Sequence, residues 1–398
     1  MPSVSDVIEA ADLLKVRSIE VIDERCSAIR NRNASCRACE NACIESAITV
    51  ERNEVRIDVD ACVDCGACVP VCPNGALVAL EPSKDSLHRE VRSKATAARC
   101  GIIACSRIAS RRTADDALFT EVPCLGHIGE EDLIKLIGQG VDDIILVDGD
   151  CATCKYGAVS ADIDTCVDIA ATFFEKIGAD AVITRASEFP PEIRTQARNF
   201  RGESRRGLIF QVGDYVKNVA GNVAQKTIEE KLGTIDKPKT LYERLRAGKN
   251  GKMPSFEPSH NYGLLESGEA ALARTFGSVE EAQSALRESE EMLECRHFGD
   301  LEIDASACSG CGLCVLFCPT EACVYSEVLE AEDEDSRIIE FRAMDCTQCR
   351  LCEDVCIRKC LTISPKVSIA RLYDFEPKAI AIPKPKNRTS IMDLKRIV

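Results

Sequence analysis

Tryptophan is absent from the 398 residues, and aromatic side chains make up only 5% of them. The stacking platforms on which single-stranded nucleic acid lies are therefore missing. Basic charge is also in deficit: 50 Lys and Arg stand against 65 Asp and Glu, a formal charge of −15. Such a surface repels phosphate backbones, so no nucleic acid partner is expected, and it suits docking to basic patches on other proteins. No run of about 18 apolar residues occurs, which leaves no transmembrane segment to expect. Residues 1–10 carry neither the basic start nor the apolar stretch of a secretory leader. The expected location is cytoplasmic, or peripheral to a membrane through a partner. No Gly-x-Gly-x-x-Gly string follows a strand pattern and no phosphate loop occurs, so flavin or nicotinamide binding by this chain is not supported.

What the chain has in excess is cysteine, 25 residues gathered at about 26–72, 100–166 and 295–360 with cysteine-free stretches between. In a reducing compartment such grouping points to metal ligation and away from a disulfide scaffold. A hydrophobic content of 45% over this length supplies cores for two or three domains.

The strongest motif is Cys62-x2-Cys65-x2-Cys68-x3-Cys72-Pro73. In this run three thiolates hold one [4Fe-4S] cluster and the fourth reaches the neighbouring one. Two-residue gaps turn three sulfurs toward one face of a small cube, and the longer last gap swings the fourth away. The string recurs as Cys308-x2-Cys311-x2-Cys314-x3-Cys318-Pro319 and, without the proline, as Cys346-x2-Cys349-x2-Cys352-x3-Cys356. A fourth copy is altered: Cys36-x2-Cys39-x3-Cys43, with Cys26 as first ligand and nine residues between it and Cys36. The inserted segment 27–35 contains the basic string Arg30-Asn31-Arg32-Asn33, expected either near a cluster or facing a partner. The crossed pattern groups Cys26, Cys36, Cys39 with Cys72, and Cys62, Cys65, Cys68 with Cys43. At the other end it groups Cys308, Cys311, Cys314 with Cys356, and Cys346, Cys349, Cys352 with Cys318. Zinc is the competing ligand, but its Cys-x2-Cys pairs come as two plus two and not three plus one.

Over about residues 20–80 and 298–365 the chain resembles the bacterial two-cluster ferredoxins, including short strands at 55–59 and 338–341. The resemblance implies a pseudo-twofold fold of β-hairpins and helices. The chain departs from that family at Ile44 and Ile357, where proline usually follows the last cysteine, and in an acidic insertion at 330–335.

Between these modules, apolar runs at 100–104, 118–122, 143–147 and 181–184 read as strands, and 130–137 and 165–177 as helices. Strand–helix alternation predicts a parallel sheet with right-handed crossovers, whose ligands collect at the carboxyl ends of the strands. Cys105, Cys124 and Cys151 each follow a predicted strand, and Cys154 shares the last loop. The segments Pro123-Cys124-Leu125-Gly126-His127-Ile128, 140–147 and Cys151-x2-Cys154-Lys155-Tyr156 are similar to the delta subunit of methyl-viologen-reducing hydrogenases. That resemblance implies a [2Fe-2S] cluster, which Cys105, Cys124, Cys151 and Cys154 would hold with Cys100 as a substitute. It also implies electron passage between a catalytic subunit and a flavin-containing one. Ordinary buried thiols or zinc are the alternative. Cys166 and Cys295, each placed on a predicted helix, read as core, Cys323 and Cys360 as spare thiols, and His127 as a loop residue and not a ligand.

The expected fold class is thus an α+β and α/β multidomain chain, two ferredoxin-like 2[4Fe-4S] modules around a central parallel-sheet α/β domain. The domain map runs 1–82 for the first module, 95–232 for the central domain, 233–294 for a connector and helix, 295–365 for the last module and 366–398 for an extended tail. Within the connector, 233–268 reads as extended and 279–293 as a helix, its Ser278 and Glu281 spaced as a capping box. Four [4Fe-4S] clusters and one [2Fe-2S] cluster move single electrons and do no bond chemistry on organic substrates. The expected function is therefore a non-catalytic electron-transfer subunit in a hetero-oligomeric oxidoreductase complex. It would work between flavoprotein, hydrogenase-like or molybdenum-type subunits and a terminal reductase. The alternative is a self-contained oxidoreductase acting at the central cysteines.

Overall fold

The computed structural model describes residues 18–95, 99–195, 255–256 and 259–385. The chain starts with β1 (Ile19–Val21), α1 (Ser27–Arg30), α2 (Ala38–Ala42), β2 (Ile48–Glu51), β3 (Glu54–Ile57) and β4 (Leu77–Ala79). The sequence Ile-Thr-Val-Glu alternates buried and exposed along β2, the period-two pattern of a half-buried strand. Arg52 and Asn53, with φ of +50° and +62°, make the tight turn to β3, whose twist matches a two-residue hairpin. β1 and β4 close the module antiparallel, Ile19 opposite Ala79.

Next come α3 (Lys84–Lys94), β5 (Cys100–Cys105), α4 (Ser106–Ala109), β6 (Thr120–Val122), α5 (Glu130–Gly138), β7 (Asp143–Val147), α6 (Ser160–Ile177) and β8 (Val182–Ala186). The four strands form a parallel sheet in the order β6-β5-β7-β8. β5 and β7 are central and read as unbroken apolar runs because both faces are covered. The chain leaves β5 toward β6 and returns across β5 to β7. The strand order therefore reverses between β5 and β7, and the crevice beyond their carboxyl ends is the place for a ligand. Ile163, Cys166, Ala170, Phe173, Phe174 and Ile177 line one buried stripe of α6, at helical spacing.

The last part runs α7 (Ser259–Phe276), α8 (Val279–Arg287), β9 (Met292–Glu294), β10 (Asp300–Ile303), α9 (Leu313–Phe317), β11 (Cys323–Tyr325), β12 (Ser336–Phe341), α10 (Leu351–Val355), β13 (Leu361–Ser364), β14 (Lys366–Ser368), α11 (Ile369–Tyr373) and β15 (Lys378–Pro383). β10 pairs with β13 and β11 with β12, both antiparallel, repeating the two pairings of the first module.

Three expectations are corrected. The connector read as extended to residue 268 is helical from Ser259, where Leu264, Leu265, Ala271 and Leu272 pack into the common core. Its earlier part, 233–254, lies outside the described residues. The helix read over 279–293 ends at Arg287, capped by the Ser278 hydroxyl, which accepts from Glu281 N at 3.2 Å. The chain then turns into β9, so Cys295 follows a strand. The segment from 366 is not wholly an extended tail: β15 pairs with β12 along its whole length, Ser336 opposite Pro383 and Phe341 opposite Lys378.

One continuous apolar core runs from the parallel sheet through α7 into the last module, while the first module has a smaller core of its own. Glu130, 1% exposed at the start of α5, receives both Nε (2.8 Å) and Nη2 of Arg296, with His297 Nε2 at 2.9 Å. Among the described residues no helix is long and apolar enough to cross a membrane.

Candidate metal centres

In the altered first motif the helix α1 packs on β3 and the helix α2 on β2. Cys26 caps α1, Cys39 lies in α2 and Cys36 just precedes it, and the 62–72 run brings Cys72 alongside. These four thiols line a recess of about 340 Å³ walled by Val50, Val55 and Leu77. We call this centre I. Cys43, Cys62, Cys65 and Cys68 line a second recess of about 350 Å³ walled by Ile19, Ile44, Ile48, Ile57 and Val63, centre II.

Burial pushes the Cys26 thiol up to about 11 and Cys39 up to about 12, with Cys72 and Cys36 among the groups that raise both. Burial likewise raises Cys68, which faces Cys65, Cys62 and Cys43. Backbone N–H groups point at the sulfurs: Ala76 N donates to Cys72 Sγ at 3.2 Å and Ala47 N to Cys43 Sγ at 3.1 Å. Such bonds to sulfur tune whatever the sulfurs hold.

In the last module Cys346, Cys349 and Cys352 all face Cys318, centre III, and burial raises the first three, Cys349 to about 11. The remaining set, centre IV, is brought together less directly. Cys360 Sγ lies 3.6 Å from Cys356 and faces Cys308, while Cys311 and Cys314 both face Tyr325. Cys323 hydrogen-bonds Cys314 and lowers its pKa. Cys323 and Cys360 thus stand directly beside the motif cysteines.

The central thiols meet at the carboxyl edge of the parallel sheet. Cys105 ends β5 and its thiol donates to Asp148 O at 3.2 Å. Cys124, after β6, faces Cys151 and Cys105, and burial pushes it up to about 11. Cys154 faces Cys105. The loop that carries Cys151 and Cys154 is braced from two sides. Arg185 Nε donates to Asp148 at 2.6 Å, and Arg107 donates to Asp150 O at 2.9 Å and to Thr153 Oγ1 at 2.8 Å. Cys100 cannot substitute for any of these, which corrects that expectation. It begins β5, opposite Asp143 at the amino end of the sheet, and five residues of strand put it about 16 Å from Cys105.

Cys166 is buried on α6, its sulfur 3.4 Å from Arg296 Nη2 and pushed up to about 12 by burial and Glu130. His127 is a clamp: its Nε2–H donates to Asp64 O at 3.0 Å. Its ring covers Gly66, where a methyl group would lie 2.3 Å from the imidazole. A methyl at Gly126 would likewise lie 2.6 Å from Cys65 O. The two glycines let the Cys124 turn press against the centre II loop, and Cys124 faces Cys65 across that contact.

Among the described residues no three or more His, Cys, Asp or Glu are set to hold a single metal ion. Four thiols lining one apolar recess suit a multi-iron cluster, whose sulfur ligands stand around a cube and not around a point. Spacing alone singles out none of Ser27, Asn74 and Thr347, which join the two modules; the only sequence signal there is the unusual length of the 27–35 insertion.

The family described as "4Fe-4S binding domain" matches residues 55–78, and that described as "4Fe-4S dicluster domain" matches residues 300–357. The chain is also similar to an "Uncharacterized protein in rpl9-rpl11 intergenic region" of Porphyra purpurea, 33% identical over 76 residues that cover 18% of this chain and 95% of that protein.

Proposed function

We propose that this chain, whose two terminal modules match 4Fe-4S ferredoxin-type domains, relays single electrons between a redox enzyme or flavoprotein partner and a terminal reductase. The observation that supports this reading is the gathering of motif cysteines into three sets of four, centres I to III, two of them lining apolar recesses. Four [4Fe-4S] clusters, one per centre, and a [2Fe-2S] cluster at Cys105, Cys124, Cys151 and Cys154 are the cofactors it requires. When bound, they supply one-electron chemistry without bond making.

The residues of the chain do the rest. Thiols supply the ligands, backbone N–H groups stabilise their charge, and aliphatic walls keep water from the sulfurs. Full ligation by cysteine leaves no open iron position for a substrate, which supports relay over catalysis. Flavoprotein, hydrogenase-like or molybdenum-type subunits are the proposed partners, and the chain's charge of −15 suits basic docking surfaces on them.

Iron and acid-labile sulfide per chain, measured after anaerobic purification, test the reading. About 18 irons are expected with the central site loaded and about 16 without it. About 8 would remove one whole module. Cys65→Ser and Cys311→Ser should each lower the iron content and change the visible spectrum, and unaltered spectra in both would end the proposal.

A further inference from the structure

The nine-residue insertion between Cys26 and Cys36 is the one place where the cysteine spacing breaks the ferredoxin pattern. In the fold its residues 27–31 and Ala34 are buried, and Arg32, Asn33 and Ser35 are exposed. Ala34 packs among Phe317, Leu351 and Val355 of the last module. Ser35 donates from N and Oγ to Asp354 at 2.7 and 3.0 Å. Ser27, adjacent to ligand Cys26, receives a hydrogen bond from Asn74 Nδ2 at 2.9 Å, and Asn74 Oδ1 accepts from Thr347 Oγ1 at 2.6 Å. The Ser27 hydroxyl also bonds the Cys349 thiol. Nearby, the Arg25 guanidinium lies 5.4 Å over the ring of Phe256, whose N–H donates to Pro319 O beside Cys318.

Arg30 sits inside this seam, 4% exposed, its Nη1 donating to Glu24 O at 3.0 Å. Burial lowers its pKa, and the charges it faces are Cys318 and Cys349, both centre III ligands, though it belongs to the first module. A guanidinium stays cationic at any working pH. A fixed positive charge at a desolvated position stabilises added negative charge far more than it would in water.

We infer that the 27–35 insertion joins the two ferredoxin-type modules into one single-file electron path. Its order is central thiols, centre II, centre I, centre III and centre IV, with Arg30 as the positioning residue that raises the reduction potential at centre III. The inference rests on the relay reading. Cys124 against Cys65 makes the first junction, the shared cysteine runs make the second and fourth, and Ser27 against Cys349 makes the third. At each transfer one electron leaves one centre and enters the next, and no proton or covalent bond moves. The supply is a one-electron donor, dithionite in the test and a reduced flavoprotein or similar subunit in a complex.

The test is an electron paramagnetic resonance redox titration of anaerobically prepared full-length protein. Arg30→Met should keep the iron content and move one midpoint potential to a more negative value, and Arg30→Lys should restore it. The moved signal should be the one missing from Cys349→Ser protein. In fully reduced wild-type protein, the signal lost in Cys36→Ser should couple magnetically to the signal lost in Cys349→Ser. The wild-type measurement decides the matter even where Arg30→Met does not fold. Unmoved or uniformly moved midpoints would overturn the role of Arg30, and uncoupled signals would overturn the path. A wild-type chain without iron and sulfide would instead remove the relay reading beneath it.

Discussion

Glu130 is a carboxylate that is almost wholly out of water yet remains charged. Burial alone would raise its pKa, but His297 and Arg296 outweigh that and hold it well below the ordinary carboxylate range. Cys166 and Lys84 are the other titratable groups within its reach. A folded value below the unfolded one, about 4.3 for Glu, gives stability that is complete above the unfolded value. That stability is lost as pH falls below it toward the folded value. Glu130→Gln should therefore destabilise the chain at pH 7 by about 3 kcal/mol. This is the low end for a broken buried pair, because Arg296 keeps a third of its side chain in water. Anaerobic urea unfolding should show the gap from wild type closing as the pH is taken below about 4; a gap independent of pH would mean that the pair is not what holds α5 to the last module. Gly66 offers a steric counterpart. Gly66→Ala meets both a φ of +75° and the His127 ring, a cost of about 2–4 kcal/mol. Adding His127→Ala should recover the clash and leave about 1–2 kcal/mol of backbone strain. Thermal melts followed by cluster absorbance would show no recovery if the ring were not the obstacle.

At the scale of elements, α7 ties the central domain to the last module. Asn261 on α7 is fully buried, and its Nδ2 donates to the carbonyls of His297 (2.9 Å), Met344 (2.9 Å) and the ligand Cys346 (3.2 Å). Asn261→Leu strips donors from buried carbonyls and should cost about 2 kcal/mol or more. Iron release to a chelator should quicken at centre III alone, and equal release from all centres would show α7 to be a general support. This helix was hard to read from the sequence because Gly263 and Gly268 look like loop signals and the preceding stretch is rich in Pro, Gly and Lys. Its apolar positions Leu264, Leu265, Ala271 and Leu272 do follow a helical period. The strand β15 was obscured in the same way by Pro377 and Pro383, although Ile380 and Ile382 alternate with alanines between them. The motif cysteines and the central strands were legible because their signals are local: two-residue gaps in the first case, unbroken apolar runs in the second. The junction at Ser27, Asn74 and Thr347 was not, since it joins residues 47 and 273 positions apart whose types carry no spacing. Cys100 was misplaced for the reverse reason, because nearness to Cys105 in sequence is distance along an extended strand.

Over the whole molecule, the stabilising interactions are unevenly shared, and this fixes what loss of iron should do. The helices α6 and α7 have 18 residues each; α6 packs on β8, α7 on α5 and α8, and the two touch each other, with Phe173, Phe174, Leu264 and Leu272 in the main core. The ligand-bearing α2, α9 and α10 have 5 residues each, too few to persist without tertiary support. The core of the first module is a short set of aliphatic side chains and thiols, and a domain that small usually needs a metal or cross-link to stay folded. Anaerobic iron removal with a chelator should therefore abolish the visible absorbance and leave most of the helical circular dichroism in place. Protease cuts should appear within 27–77 and 308–361 and spare 100–186 and 261–287. Loss of the helical signal in step with the iron would mean the opposite distribution of strength. The Glu130 pair, the Asn261 contacts and the 27–35 seam would then bind the domains so tightly that the central sheet unfolds with the modules.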